Sequence, residues 1–201
     1  MFYDTKTNGH GLPHDPFKAI VAPRPIGWIS SMGADGSVNL APYSFFNAFS
    51  SRPPIVGFAS EGPKDSVSFI AETREFVCNL VTFDLRDAMN ATSAPLPRGT
   101  SEFVNAGLET APSKMVKPPR VKASPVALEC KLIEIKQLSD SDGNSVNSFL
   151  VLGHVVGIHI DEAFIRDGRF DILAAGTIAR CGYTDYAVVD DVFSITRPQG
   201  G

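Results

Sequence analysis

Apolar residues recur along this chain in short runs separated by turn residues, the spacing of strands rather than of helices. Gly27 to Met32 (GWISSM) is followed by Gly33, Asp35 and Gly36, a cluster suited to closing a hairpin, and then by Val38 to Leu40. Ile55 to Ser60 (IVGFAS) is entered through Arg52-Pro53-Pro54, whose prolines hold the chain extended just before the strand. Glu75 to Val81 (EFVCNLV) supplies a further strand. Later, Val126, Leu128, Cys130 and Leu132 alternate with Ala127, Glu129 and Lys131, after which the apolar phase moves to Ile133 and Ile135. That shift predicts a bulge near Leu132 and a curved strand. Beyond the polar turn Ser139 to Ser145, Phe149 to Ile160 (FLVLGHVVGIHI) is apolar on both faces, as a central strand is, with Gly153 and Gly157 marking bends. Asp171 to Ile178 and Tyr183 to Val189 complete the predicted strands.

Two short helices interrupt the series. Asp65 or Ser66 can cap one running to about Thr73, and Asp84 can cap Leu85 to Thr92. Ala94 to Pro125 is rich in proline and small polar residues, with a turn of helix at Ser101 to Ala106; it reads as a long surface excursion of the kind that often carries function. The first residues hold Gly9, Gly11, Pro13 and Pro16 with no apolar period. His10 and His14 would form a metal pair only on a helix, which these residues oppose, so a solvated arm is expected over 1–19. The remainder, 20–198, is expected to be one domain, and Arg197 to Gly201 a frayed tail. Short strands with a few short helices and no βαβ alternation predict a mainly β fold, a barrel with short peripheral helices.

Composition narrows the function classes. The 201 residues are 43% hydrophobic and 20% charged, the balance of a soluble globular domain. Net charge is −4 with scattered Lys and Arg, so nucleic acid is not an expected partner. The longest apolar stretches, such as Phe149 to Val156, fall far short of a helical membrane span, and Phe2-Tyr3-Asp4 is not the basic start of a targeting segment. A cytoplasmic protein without membrane contact is expected. Cys78, Cys130 and Cys181 are widely spaced in apolar contexts and read as buried free thiols.

No G-x-S-x-G, Walker loop, H-E-x-x-H or C-x-x-C is present, which leaves hydrolase and nucleoside-triphosphate chemistry without support. What stands out is polar density inside apolar runs. Ser30 and Ser31 close a strand, and Asn39 to Asn47 (NLAPYSFFN) mixes rings with hydroxyl and amide groups. Such a mixture suits a planar heteroaromatic ligand, which needs flat apolar walls and a few fixed donors. The same pattern fits a core role for Tyr43, Phe45, Phe46 and Phe49. Glu61 to Ser66 (EGPKDS) is a tight turn into a helix start, which with a lysine and a hydroxyl makes an anion site or simply a capped helix.

Taken in order, VAPRPIGWISS, NLAPYSFFNAFSSRPPIVGF, KDS, EFVCNL, MNATSAP, EFVNAGL, PPRV, SPVALEC, LGHVVGIHI and IARCGYTDY extend from about Ile20 to Pro198. This ordered set resembles the flavin reductase-like, FMN-binding split-barrel family, in the branch that includes flavoredoxin. The resemblance implies a split barrel that dimerises, with FMN held at or near the subunit interface. By position, Ser30 and Ser31 with Trp28 would fall beside the flavin; Asn39, Ala41, Pro42, Tyr43, Ser44 and Phe45 would line its ring; Lys64, Asp65 and Ser66 would hold its phosphate; and Asn79 and the Met89 to Ser93 turn would approach the ribityl and phosphate end. The implied activity is an NAD(P)H-dependent flavin reductase that passes electrons to a second flavin or a partner protein, with no general acid–base residue required.

Two departures bear on that reading. Many relatives carry arginine-leucine-glycine-glycine where this chain has Arg180-Cys181-Gly182-Tyr183, and some carry a histidine before the strand at Phe149, where Asn147 and Ser148 stand here. The second departure leaves open an FMN protein that carries electrons or stores flavin, and a small-ligand binding protein or oligomeric scaffold is a third reading. His154, sharing a face with Leu152 and Val156, is expected to be a packed histidine, with His159 on the opposite face.

Overall fold

The predicted hairpin forms: β1 (Gly27–Met32) and β2 (Val38–Tyr43) pair antiparallel from Met32 opposite Val38 to Gly27 opposite Tyr43, and Gly36 at φ +86° supplies the left-handed turn residue. The computed structural model describes residues 1–97 and 99–198. The tail expected from Arg197 therefore lies, from Gln199 on, outside the described residues. With β3 (Phe46–Ser51), β4 (Pro54–Glu61), β5 (Glu75–Asn79), β6 (Val126–Ser139) and β7 (Ser145–Ile160), the hairpin builds a seven-stranded antiparallel sheet in the order β2-β1-β5-β6-β7-β4-β3. Strand β3 is a stretch whose aromatics alone do not announce it; it forms because Arg52-Pro53 folds it back on β4, Ser51 opposite Pro54.

The two edge strands, β2 and β3, are joined only by Ser44 and Phe45, so the sheet must curl to bring its edges together. Gly27 marks the seam: a Cβ there would stand 2.6 Å from Cδ2 of Phe46. The result is a split barrel. Its interior packs Ile29, Tyr43, Phe58, Ile70, Phe76 and Val151, while Trp28, Leu40, Val81, Met89, Phe103 and Val121 form a second core behind β1. Gly153 in β7 leaves room for the buried Phe76 ring, whose Cζ lies 2.3 Å from where a Cβ would be.

The predicted bulge is present. Leu152 faces Glu134 and Gly153 faces Leu132, leaving Ile133 unpaired; Val156 is likewise left over between the Val155–Cys130 and Gly157–Glu129 pairs. Each extra residue turns the following side chains to the other face. Val151 and Val155 face the barrel interior, so His154, expected to be packed, points outward and is exposed. The extra residue at Val156 then brings His159, expected on the opposite face, to the same outer side, where it contacts Glu129. Glu129, on the polar phase of the sequence pattern, is fully buried.

The C-terminal region differs from the expected strands. Asp171 to Ile178 begins as a helix, α5 (Ile172–Ala175), because Asp171 Oδ1 accepts the Ala174 N–H at 2.9 Å and Gly176 at φ +58° ends the turn. Only β8 (Ile178–Gly182) remains extended there; it pairs with β9 (Asp185–Val188) and with Arg24–Pro25 in a small three-stranded sheet. Among the other helices, α1 (Phe17–Ile20) adds one turn at the end of the arm, and α2 (Asp65–Thr73) starts after Lys64 rather than after Asp65 or Ser66. Asp84 does not cap α3 (Arg86–Ala91), since it lies inside a preceding 3₁₀ turn, Phe83–Leu85. In the excursion α4 (Glu102–Asn105) matches the predicted turn of helix. Cys78 and Cys130 are buried free thiols, whereas Cys181, expected buried, is partly exposed in β8, the middle strand of the small sheet.

Glu129 fixes the return of the excursion. Its carboxylate accepts the backbone N–H groups of Lys114 (2.8 Å), Met115 (2.5 Å) and Val116 (3.1 Å), and it contacts His159 Nε2. Burial by itself would raise this carboxyl, but the His159 contact and the loop N–H groups outweigh it and hold the pKa below the ordinary value. A depressed folded-state pKa contributes stability that is present above the unfolded carboxylate range and lost as pH falls toward the folded value. Glu129→Gln is expected to cost about 1–3 kcal/mol at neutral pH in denaturant titrations. That difference should shrink as pH falls below the ordinary carboxylate range; a constant gap across pH would contradict this role.

Candidate functional site

Along the outer edge of the barrel, the second half of β2, the start of α2 and the chain after α3 enclose a cavity of about 480 Å³. Its wall is Asn39, Ala41, Pro42 and Tyr43 from β2, Lys64 at the cap of α2 with Asp65 and Ser66 of its first turn, the stretch Thr92 to Leu96, and Glu102 of α4. β2 is an edge strand, so alternate backbone groups on its outer side have no strand partner, and Pro42 fits such an edge because it has no N–H to give.

The approach to α2 is set by Gly62 at φ +82°, Pro63, and Lys64 in extended conformation. No side chain caps this helix, so its first-turn N–H groups keep their positive potential beside the cavity. The start of α2 is locked to the sheet through amide and hydroxyl groups: Asn39 Nδ2 donates to Ser66 Oγ at 2.7 Å and lies 3.5 Å from Ser31 Oγ. Burial raises the Tyr43 hydroxyl pKa, opposed by hydrogen bonds with Ser66 and Ser60. Opposite, the Leu40 N–H donates to Glu102 Oε2 at 3.0 Å. Burial raises the Glu102 carboxyl more than that hydrogen bond lowers it, and nearby Asp65 adds to the rise.

Two smaller hollows continue the cavity. One of about 340 Å³ runs past Ser44 and Ser93 to Lys18, Arg24, Arg180 and Tyr186; another of about 230 Å³ runs past Tyr43, Ser44 and Phe45 toward Lys18 and Glu61. Pro42 lines all three, so they adjoin, and together they are called the trough. Its middle is cationic. Arg24 is buried, donating Nη1 to the carbonyls of Lys18 and Val21, and both Arg24 (5.7 Å) and Lys18 (5.9 Å) lie near the Phe45 ring centroid.

Of the residues singled out by sequence, Asn39, Ala41, Pro42, Tyr43, Ser44, Phe45, Lys64, Asp65, Ser66 and Ser93 come together around this trough. Trp28, Ser30, Ser31 and Asn79 stand behind the wall. Trp28 Nε1 donates to Thr92 Oγ1 at 2.9 Å, and the Asn79 amide donates to the Trp28 carbonyl (3.0 Å) while accepting the Val121 N–H (2.9 Å). Ser30 Oγ is buried with no hydrogen-bond partner among the described residues. Met89, Asn90 and Thr92, from the turn already singled out, line it too. Ala94 to Leu96, Glu102, Arg24 and Arg180 join the trough without having been singled out as ligands. The composition of the long excursion marked the first group as a region but not as residues, and the lone arginine between prolines in VAPRP was the available signal for Arg24.

A model of the flavin reductase like domain matches residues 21–173 of the chain. An uncharacterized protein of Halalkalibacterium halodurans is 33% identical over 183 residues, 89% of this chain and 87% of its own length. Among solved structures, nitrilotriacetate monooxygenase component B from Bacillus cereus aligns with a TM-score of 0.87 at 26% identity, covering 97% of this chain and 98% of its own. The 2-nitrobenzoate 2-nitroreductase of Pseudomonas fluorescens aligns at 0.85 and 26% identity, covering 98% and 96%. The match over most of the chain and the shared split barrel place it: the chain belongs to the flavin reductase-like family, flavin-linked oxidoreductases.

Proposed function

We propose that the trough holds FMN and that the protein is an NAD(P)H-dependent flavin reductase, passing electrons to free flavin or to a partner protein. The observation that carries this reading is the junction of an uncapped helix start and Lys64 with a strand edge made of Ala41, Pro42 and Tyr43 in one cavity. The residues fit the group. A flat ring finds apolar surface at Pro42, Tyr43 and Phe45 and donors on the outer edge of β2; a phosphate finds the first-turn N–H groups of α2 and the Lys64 ammonium.

When bound, the flavin supplies the redox chemistry, taking a hydride from the reduced nicotinamide, which leaves as its oxidised form, and later yielding the electrons to an acceptor. The chain's own residues bind and orient. Lys64 and the start of α2 neutralise the phosphate charge. The Asn39–Ser66 hydrogen bond keeps that start aligned with the ring wall. Trp28 and Thr92 hold the wall from behind. Asn147 and Ser148, at the position where some relatives carry histidine, favour as a second reading a flavin carrier that does not turn over with nicotinamide.

A homodimer is part of the proposal. Phe17, Ile20, Val21, Phe45 and Phe49 form a largely exposed apolar surface around a hollow of about 580 Å³ beside the trough, the kind of patch a soluble chain covers with a partner. The expected occupant is a second copy.

Three measurements test these statements. The purified protein is expected to carry or take up FMN with visible absorption, and anaerobic NADH or NADPH should bleach it within minutes; a protein that stays colourless with added FMN would sink both flavin readings, and flavin left oxidised for hours would leave the carrier. Lys64→Ala is expected to weaken FMN binding by roughly tenfold, from the loss of one charge-assisted hydrogen bond; an unchanged dissociation constant would count against the phosphate assignment. In light scattering, Phe49→Asp is expected to halve the particle mass, and a monomeric wild type would overturn the dimer.

A further inference from the structure

The cavity at the start of α2 holds more negative charge than positive. Among the described residues its charged groups are Lys64, Asp65 and Glu102, one cation to two carboxylates. Lys64 is exposed and Asp65 half-buried, whereas Glu102 is only 8% exposed. Glu102 makes no ion pair among the described residues, and the ionisable groups sharing the cavity with it are Lys64 and Asp65 from the start of α2 and Tyr43 from β2. Burial raises its carboxyl more than the backbone N–H groups of Leu40 and of Glu102 itself lower it, and the Asp65 charge adds to the rise. Burial raises the Tyr43 hydroxyl as well, with Asp65 and Glu102 both adding to it, so the two carboxylates are felt across the ring wall.

The fold puts the Glu102 side chain there but does not need its charge. Glu102 opens α4, and its Oε2 accepts the Leu40 N–H at 3.0 Å on the outer edge of β2. An amide oxygen in the same place would accept that N–H equally well. The opposite side of the cavity is arranged for an anion, with the uncapped N–H groups of α2 and the Lys64 ammonium. A buried carboxylate facing an anion site repels whatever anion occupies it, and the repulsion disappears when the carboxyl takes a proton.

We propose that Glu102 is a specificity-determining residue of this site: its ionised carboxylate, reinforced by Asp65, opposes the phosphate of FMN, and its protonated form admits it. The proposal rests on the flavin reading of the trough and deepens it. Preference for FMN over flavin without a phosphate is then governed by proton uptake at one residue. The sign follows from linkage. A bound phosphate raises the proton affinity of Glu102 further, so binding takes up a proton, and affinity for the phosphorylated flavin falls as pH rises. A flavin without phosphate does not meet this opposition.

The test compares FMN with riboflavin, which shares the ring and the ribityl chain and lacks the phosphate. Dissociation constants of both are measured by flavin fluorescence on the full-length protein, and their ratio is the readout, because a change in the shape of the wall moves both alike. Glu102→Gln keeps an oxygen for the Leu40 N–H and carries no charge. At pH 8 it is expected to raise the preference for FMN over riboflavin roughly tenfold, the size of one like-charge repulsion in a partly desolvated cavity. Asp65→Asn should move the preference in the same direction by a smaller factor. As pH is lowered toward 5 the wild type should approach the Glu102→Gln variant, because Glu102 is then taking up its own proton; the phosphate's own titration is common to both proteins and drops out of the comparison. An equal preference in the two proteins at pH 8, or a gap that does not change with pH, overturns the proposal. Equal weakening of both flavins in the variant also overturns it, since Glu102 would then only shape the wall. A wild type that binds neither flavin sinks the flavin reading itself and takes this proposal with it.

Discussion

The hydrogen bond from Asn39 to Ser66 decides where the site can be. α2 leaves the barrel after Gly62 and could point its uncapped end in many directions; the Asn39 amide, backed by Ser31, ties the first turn to the middle of β2. Everything in the cavity follows from that tie. The positive end of the helix faces the only stretch of β2 with a proline, and Lys64 at the cap position lands beside Tyr43 because the residue two places along is anchored. A buried amide, once its partners are placed, costs a good deal to leave unsatisfied, so the geometry is held more tightly than a surface turn would hold it.

Two buried carboxylates give the excursion a comparable firmness. Glu102 accepts the Leu40 N–H at one part of it, and Glu129 gathers three consecutive N–H groups at another. A long proline-rich segment has few ways to pair its own backbone. Glu129, projecting from a central strand, does that work for three of its N–H groups, while Glu102 ties the segment to β2, and the segment becomes a wall of the cavity. This is also why burial fails to neutralise Glu129: the carboxylate is surrounded by donors that exist to be accepted.

These cases show what was legible beforehand. Local chemistry read well wherever it was decided locally: the Gly33 to Gly36 turn and the phase shift near Leu132 lie where the sequence puts them, and Ala41 to Tyr43 and Lys64 to Ser66 line one cavity. What failed was decided at a distance. One unpaired residue, Val156, reverses the faces beyond it, so counting by twos put His154 and His159 on opposite faces when they share one. Asp171 acts as a cap where the apolar run suggested a strand, because a single side-chain acceptor outweighs four residues of ambiguous pattern. Trp28 and Asn79 bear the marks of ligand residues, being polar groups in apolar runs, yet their partners are Thr92 and Val121, more than forty positions away in sequence.

Asn147 joins these threads. Its carbonyl accepts the Gly62 N–H at 3.1 Å, which ties the start of β7 to the turn that feeds α2. Asn147 thus serves here, through its backbone, to support the Lys64 end of the trough. A backbone tie of this sort is indifferent to the side chain, so the position is free to vary without moving α2. The fixed cations nearest the middle of the trough are Arg24 and Arg180. Arg24 is committed to the Lys18 and Val21 carbonyls, whereas Arg180, bonded to the Tyr183 carbonyl and with its plane set by Tyr186, keeps further N–H donors of its fork uncommitted to those contacts.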